Sequence, residues 1–157
     1  MRVVIWTAFC TFLLDQVTKY VVVHAMNLKE VGSIDVLPPL LNLRMAWNYG
    51  INFGLFSNAE NSAWILIVLA LAIVGLVAYW MWRDPPGRTG LIAGGLLIGG
   101  ALGNVVDRVL YGAVADFLNM SCCGIDNPYA FNVADIAVFA GAIGLVIFTG
   151  GADKRAG

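Results

Sequence analysis

Charge is the scarcest ingredient of this sequence. Only 12% of the 157 residues are Asp, Glu, Lys or Arg, 60% are hydrophobic, and the mean hydropathy is +0.81. A soluble domain carries about twice that share of charge, so lipid is the expected solvent for much of the surface. Nine basic and ten acidic residues leave a net charge of −1, which provides no electrostatic footprint for nucleic acid. Histidine occurs once, at His24, and cysteine three times, at Cys10, Cys122 and Cys123. No Cys-x-x-Cys or Cys/His spacing suggests a zinc site, and no metal or other cofactor is expected. Three cysteines cannot build a disulfide framework. Cys10 reads as helix packing, and the adjacent pair, expected in an extracytoplasmic loop, would bridge only with strain and is given no role. A cleavable leader is missing too: Arg2 and the apolar run Val3 to Leu14 imitate one, but Asp15 and Lys19 interrupt it and no small-x-small site follows. Cys10 is preceded by Phe9 where a lipoprotein cleavage site needs a small residue. The segment is expected to remain as a membrane span.

What the chain does have is long apolar runs. A bilayer core of roughly 30 Å takes about 20 helical residues, and four segments approach that length, at about 3–24, 62–82, 90–111 and 131–149. The fold class expected is therefore an all-α membrane domain of four transmembrane helices, a single unit over residues 1–157. Between the first two helices lies a long connection in which Leu41 to Met45 alternates apolar and polar, with Pro38, Pro39 and Gly50 as punctuation. That pattern predicts a small extracytoplasmic β-rich element over about 34–56, lying at the outer membrane surface. Arg2, Arg83, Arg88, Lys154 and Arg155 fall on one side of a four-span arrangement, while only Lys29 and Arg44 lie in the opposite loops. This bias puts both termini in the cytoplasm. Gly90, Gly94, Gly95, Gly99, Gly100 and Gly103 give the third run a small-xxx-small spacing that lets another helix come close.

The ionisable residues inside these runs are functional candidates, because each costs a few kcal/mol to insert and so faces the bundle interior. Asp15 and Lys19 stand four apart on one helix face and read as an internal ion pair. Asn104, Asp107 and Arg108 are three and four apart, so the amide shares a face with both charges. Asp107 and Arg108 are adjacent, so at least one must reach another element. Asp116 follows a helix stop at Gly112, and Asp135 falls in the first turn of the fourth helix, so the hairpin returns both to the outer interface. Two carboxylates at one level can divide the work of peptide hydrolysis. One activates water while the other, kept protonated by its neighbour, donates to the scissile carbonyl, with no metal. The structural alternative is that Asp116 caps a loop and Asp135 serves the helix N-terminus. Two other classes stay open on the residues alone. A small proton-coupled transporter would use Asp15, Asp107, Asp116 and Asp135 as a proton path. A structural scaffold would explain the glycines and leave the acids without purpose. The clustering of polar residues toward one face, the uncharged second span and the lack of an inverted repeat weigh against the proton path.

In combination these residues resemble signal peptidase II, the family of membrane aspartic peptidases that mature lipoproteins. The resemblance is carried by Asp15-Gln16-Val17-Thr18-Lys19, by Asn48-Tyr49-Gly50-Ile51-Asn52-Phe53-Gly54, by Gly99-Gly100-Ala101-Leu102-Gly103-Asn104 with Asp107-Arg108, and by Gly112, Val114, Asp116-Phe117 and Phe131-Asn132-Val133-Ala134-Asp135. These motifs span nearly the whole chain in the family's order. The resemblance implies an endopeptidase cutting on the amino side of the lipidated cysteine of diacylglyceryl prolipoproteins, with Asp116 and Asp135 as the catalytic pair. It further implies that Asn48, Gly50, Asn104, Arg108 and Asn132 line or order the substrate site, and that Asp15 and Lys19 support it. The expected partners are those substrates and membrane lipids, the expected state is a monomer, and the expected location is the bacterial inner membrane with the site near its outer face. The chain departs from the family pattern at Ile51-Asn52, where small residues usually precede Phe53, and in the loop from Asn119 to Asn127, which carries the cysteine pair.

Overall fold

The computed structural model describes residues 1–50, 59–124 and 127–149. Five α-helices and three strands appear among them: α1 (Arg2–Lys19), continued by a π-helical segment (Tyr20–Ala25), α2 (Leu28–Val31), β1 (Ser33–Leu37), β2 (Leu41–Asn48), α3 (Ala59–Arg83), α4 (Arg88–Tyr111), β3 (Val114–Asn119) and α5 (Val133–Thr149). The architecture is mainly helical with a small antiparallel sheet. Among the described residues, α3 over Ser62–Arg83 and α4 are long and apolar enough to cross a bilayer. The other two long helices are less clear on composition alone: α1 carries Asp15 and Lys19 internally, and α5 has 17 residues. Val68, Leu76, Phe139 and Val146 are 65%, 69%, 71% and 75% exposed. Such apolar helix faces need lipid or protein cover.

The glycines of α4 explain the packing. A Cβ at Gly95 would strike Thr7 and Val4, and one at Gly99 would strike Ala8 and Thr11, all on α1. At Gly100 it would meet Ala134, Val138 and Ala137 of α5, and at Gly94 the Met81 side chain of α3. From the α5 side, Gly141 lies against the backbone of Ala93 and Leu97. The expected close approach is thus made to three helices at once, and α4 is the central post.

The sheet has the order β1-β2-β3. Ser33 pairs with Arg44 and Ile34 with Leu43, while Ala46 lies opposite Asp116 and Asn48 opposite Val114. β2 contains the Leu41 to Met45 alternation seen in sequence, and β1 falls within the expected β-rich segment, although residues 51–56 of that segment lie outside the described residues. The third strand departs from expectation: Asp116 was read as part of a loop after Gly112. Val114–Asn119 is buried at nearly every position, so it shows no in-out alternation and its partner lies far upstream in the chain. Beneath the sheet Val23, Leu28, Leu43, Ala115 and Phe117 form a separate core. Burial of Phe117 alone stabilises by about 2–3 kcal/mol. The π-helical segment and α2 supply Val23 and Leu28 to this core, so both join the sheet to the top of α1.

The cysteine pair is another departure. Cys122 and Cys123 are joined as a vicinal disulfide, while Cys10 is free and exposed. Lys154 and Arg155, which entered the charge argument, lie outside the described residues.

Candidate active site

Asp116 and Asp135 reach one place from different elements, the first from β3 and the second from the first turn of α5. Asn132, just before α5, joins them. Its Nδ2 donates to Asp116 Oδ1 at 2.6 Å, and its Oδ1 accepts the backbone N–H of Asp135 at 2.9 Å. Asp135 Oδ2 in turn accepts the backbone N–H of Asn132 at 3.2 Å. This reciprocal pair is a capping box for α5, so Asp135 does serve its helix N-terminus. Its other oxygen, Oδ1, accepts from Asn104 Nδ2 at 2.9 Å. The second oxygen of Asp116 accepts from Asn48 Nδ2 at 3.1 Å, while Asn48 Oδ1 takes the N–H of Gly50 at 3.3 Å. Asn48, Asn104 and Asn132 thus converge directly on the two carboxylates, whereas Gly50 acts on Asn48 and touches neither.

Among the described residues neither carboxylate of this pair has an ion-pair partner. Burial first, and the charge of Asp135 second, push the Asp116 carboxyl up to about 7, against the opposing hydrogen bonds of Asn48 and Asn132. Near neutral pH the Asp116 carboxyl is therefore partly protonated. Arg108 lies within the field of both acids. Its Nη1 donates to the Asn104 carbonyl at 3.3 Å, and its Nε is buried with no partner among the described residues. An unpartnered donor beside two acids is one that an incoming carbonyl oxygen can satisfy.

Beside this pair lies a second cluster, in which two carboxylates share one ammonium. Lys19 Nζ is 2.8 Å from Asp15 Oδ2 and 2.8 Å from Asp107 Oδ2. Gln16 Nε2 donates to Asp15 Oδ2 at 3.1 Å and Asp107 Oδ1 at 3.2 Å. Lys19 also reaches Asn104 Oδ1 at 3.3 Å, an oxygen shared with Asn132 Nδ2. Asp15 and Lys19 therefore connect to the carboxylate pair through the amides and do not touch it. Of the adjacent Asp107 and Arg108, Asp107 reaches α1 and β3, while Arg108 donates to the Asn104 carbonyl of its own helix.

A family model described as signal peptidase (SPase) II matches residues 7–150. The chain belongs to the signal peptidase II family. Among curated relatives, a lipoprotein signal peptidase of Methylobacterium sp. (strain 4-46) is 38% identical over 150 residues, covering 95% of this chain and 89% of the relative. One from Rhodopseudomonas palustris (strain ATCC BAA-98 / CGA009) is 40% identical over 151 residues, covering 93% and 90%. A bacterial membrane enzyme solved by the in meso method at 2.3 Å superposes with a TM-score of 0.82 at 30% identity, covering 100% of this chain and 94% of that one. A member of the signal peptidase II family is a peptidase, and its fold is that of a membrane enzyme.

Sequence reasoning singled out Gln16 only within a motif and Asp107 only as an ionisable candidate without a role at the carboxylate pair. Gln16 and Asp107 were visible as polar groups within apolar runs, and insertion cost alone was the signal for both. Their partners gave no local pattern, because Gln16 reaches Asp107 across the helix pair and Asp107 reaches the backbone of Ala115.

Proposed function

We propose that this protein is an aspartic endopeptidase that removes signal peptides from diacylglyceryl-modified prolipoproteins, cutting on the amino side of the lipidated cysteine. The observation that carries the reading is the pairing of Asp116 and Asp135 through Asn132, with no ion-pair partner for either among the described residues, in a chain that matches signal peptidase II along most of its length. Asp135 takes a proton from a water as that water attacks the scissile carbonyl carbon. Asp116 gives its proton to the carbonyl oxygen, and the Arg108 Nε–H offers a further donor to that oxygen. The tetrahedral intermediate collapses as Asp135 passes its proton to the leaving amide nitrogen and Asp116 recovers one from the geminal hydroxyls. The C–N bond breaks and the pair returns to its starting state.

α1 with its π-helical extension, α3, α4 and α5 form four spans of one domain in the bacterial inner membrane, with both termini cytoplasmic. The charge bias of the short flanks supports this orientation. The carboxylates sit near the outer face, where the sheet holds the acyl chains in lipid while presenting the adjacent peptide bond. The working unit is a monomer.

The test is cleavage by the purified enzyme in detergent of a synthetic precursor with and without its diacylglyceryl group, the products being read by mass. The lipidated form should be cut at the bond preceding its cysteine, and the unlipidated form at least about tenfold more slowly, the loss expected when remote binding energy is removed. Equal rates for the two, or a cut elsewhere, would reject the substrate assignment.

A further inference from the structure

The cluster of Asp15, Lys19 and Asp107 grips the backbone at two matching points. Asp107 Oδ2 accepts the backbone N–H of Ala115 at 3.1 Å. Asp15 Oδ1 accepts the backbone N–H of Ala134 at 2.9 Å. Ala115 immediately precedes Asp116, and Ala134 immediately precedes Asp135. The two gripping carboxylates are tied to one another by Lys19, 2.8 Å from each, and by Gln16. All the parts are buried: Asp15 and Ala134 are 0% exposed, Asp107 2%, Ala115 3% and Lys19 6%.

We infer that Asp107 is a positioning residue for the reaction: through the Ala115 amide it fixes β3, and through Lys19 and Asp15 it fixes β3 relative to α5, so that the cluster sets the separation of Asp116 and Asp135. The inference rests on the reading of those two aspartates as the catalytic pair. A merely structural ion cluster would need only to neutralise its charges, and Lys19 with either carboxylate would do so. The second carboxylate adds a fixed distance between two backbone segments that bring the acids from distant parts of the chain. One oxygen of Asp107 receives both Lys19 Nζ and the Ala115 amide, so the backbone grip and the tie to α1 cannot move independently. Displacement of a reacting group by about 1 Å can cost about 100-fold in rate.

The experiment compares kcat and KM for a lipidated precursor among wild type, Asp107→Ala, Asp107→Asn and Asp116→Asn, with folded protein quantified by thermal unfolding in detergent. Asparagine can place its carbonyl oxygen where Oδ2 stands and keep the Ala115 grip, whereas alanine cannot. Asp107→Ala should lower kcat about 100-fold with KM within about twofold, and Asp107→Asn should recover to within about tenfold of wild type. If Asp107→Ala is not recovered folded, Asp107→Glu decides, because it keeps the charge and shifts the oxygen by a methylene; kcat about tenfold down with KM unchanged is expected. The inference is overturned by wild-type kcat in the folded alanine or glutamate variant, by an asparagine variant as slow as alanine, or by a raised KM at unchanged kcat. Active Asp116→Asn would instead overturn the catalytic pair itself, so the two failures are distinguishable.

Discussion

Two pairs of aspartates meet in this molecule, and the fold treats them in opposite ways. Asp15 and Asp107 share the ammonium of Lys19, and each also accepts a backbone N–H and a contact from Gln16. Asp116 and Asp135 share only the amide of Asn132, with Asn48 and Asn104 supplying one neutral donor each. In the first pair two carboxylates share one ammonium. In the second neither carboxylate has an ion-pair partner among the described residues, and burial first and the charge of Asp135 second raise the Asp116 pKa to about 7. A proton held on one of two adjacent acids is the feature that hydrolysis needs and that a structural cluster has no use for.

The comparison breaks most visibly if the shared cation is removed. Lys19→Met leaves two buried carboxylates facing each other without compensation, and the expected loss is about 3–5 kcal/mol of stability. Thermal unfolding in detergent should register it as a large fall in midpoint, or the protein should fail to accumulate in membranes. Unchanged stability would mean that the shared ammonium does not hold the cluster together.

A smaller effect of opposite sign sharpens the same contrast. Because the Asp116 pKa is raised in the fold, to about 7 from 3.8, the folded state holds this proton more tightly than the unfolded chain does. Its favourable contribution is complete below pH 4 and is lost as pH rises through about 7. Asp116→Asn removes the acid while keeping the shape, so it should stabilise the protein by about 2–3 kcal/mol at pH 8 relative to its effect at pH 5. A wild-type minus variant difference independent of pH across that interval would contradict the raised pKa.

How much of this was legible in the sequence depended on whether a residue's partners were near it in the chain. Four largely apolar runs stood out by their length, and they correspond to α1 with its π-helical extension, α3, α4 and α5. β2 announced itself by the apolar–polar alternation of Leu41 to Met45, where Leu43 is buried and Arg44 exposed. β3 did not, because its positions are almost all buried and its pairing partner lies some seventy residues upstream. The insertion of π-helical turns at Tyr20–Ala25 left no mark either, because Val21 to Val23 read equally well as ordinary helix. In the site, ionisable residues were conspicuous against an apolar background, which is why the structure gathers Asp116, Asp135, Asn104, Arg108 and Asn132 from positions already singled out. Asp107 was seen as a charge and not as a grip, because a side chain's bond to the amide of Ala115 has no sequence signature. The vicinal disulfide was read against, on the general ground that adjacent cysteines bridge with difficulty.

The most direct test of the central claim is single-turnover cleavage of a diacylglyceryl prolipoprotein by wild type, Asp116→Asn and Asp135→Asn enzyme, with a chelator present and folded protein verified by unfolding. The two-acid account predicts that each variant loses about 1,000-fold or more in rate while remaining folded. A folded Asp116→Asn or Asp135→Asn protein that cleaves within about tenfold of wild type would contradict it.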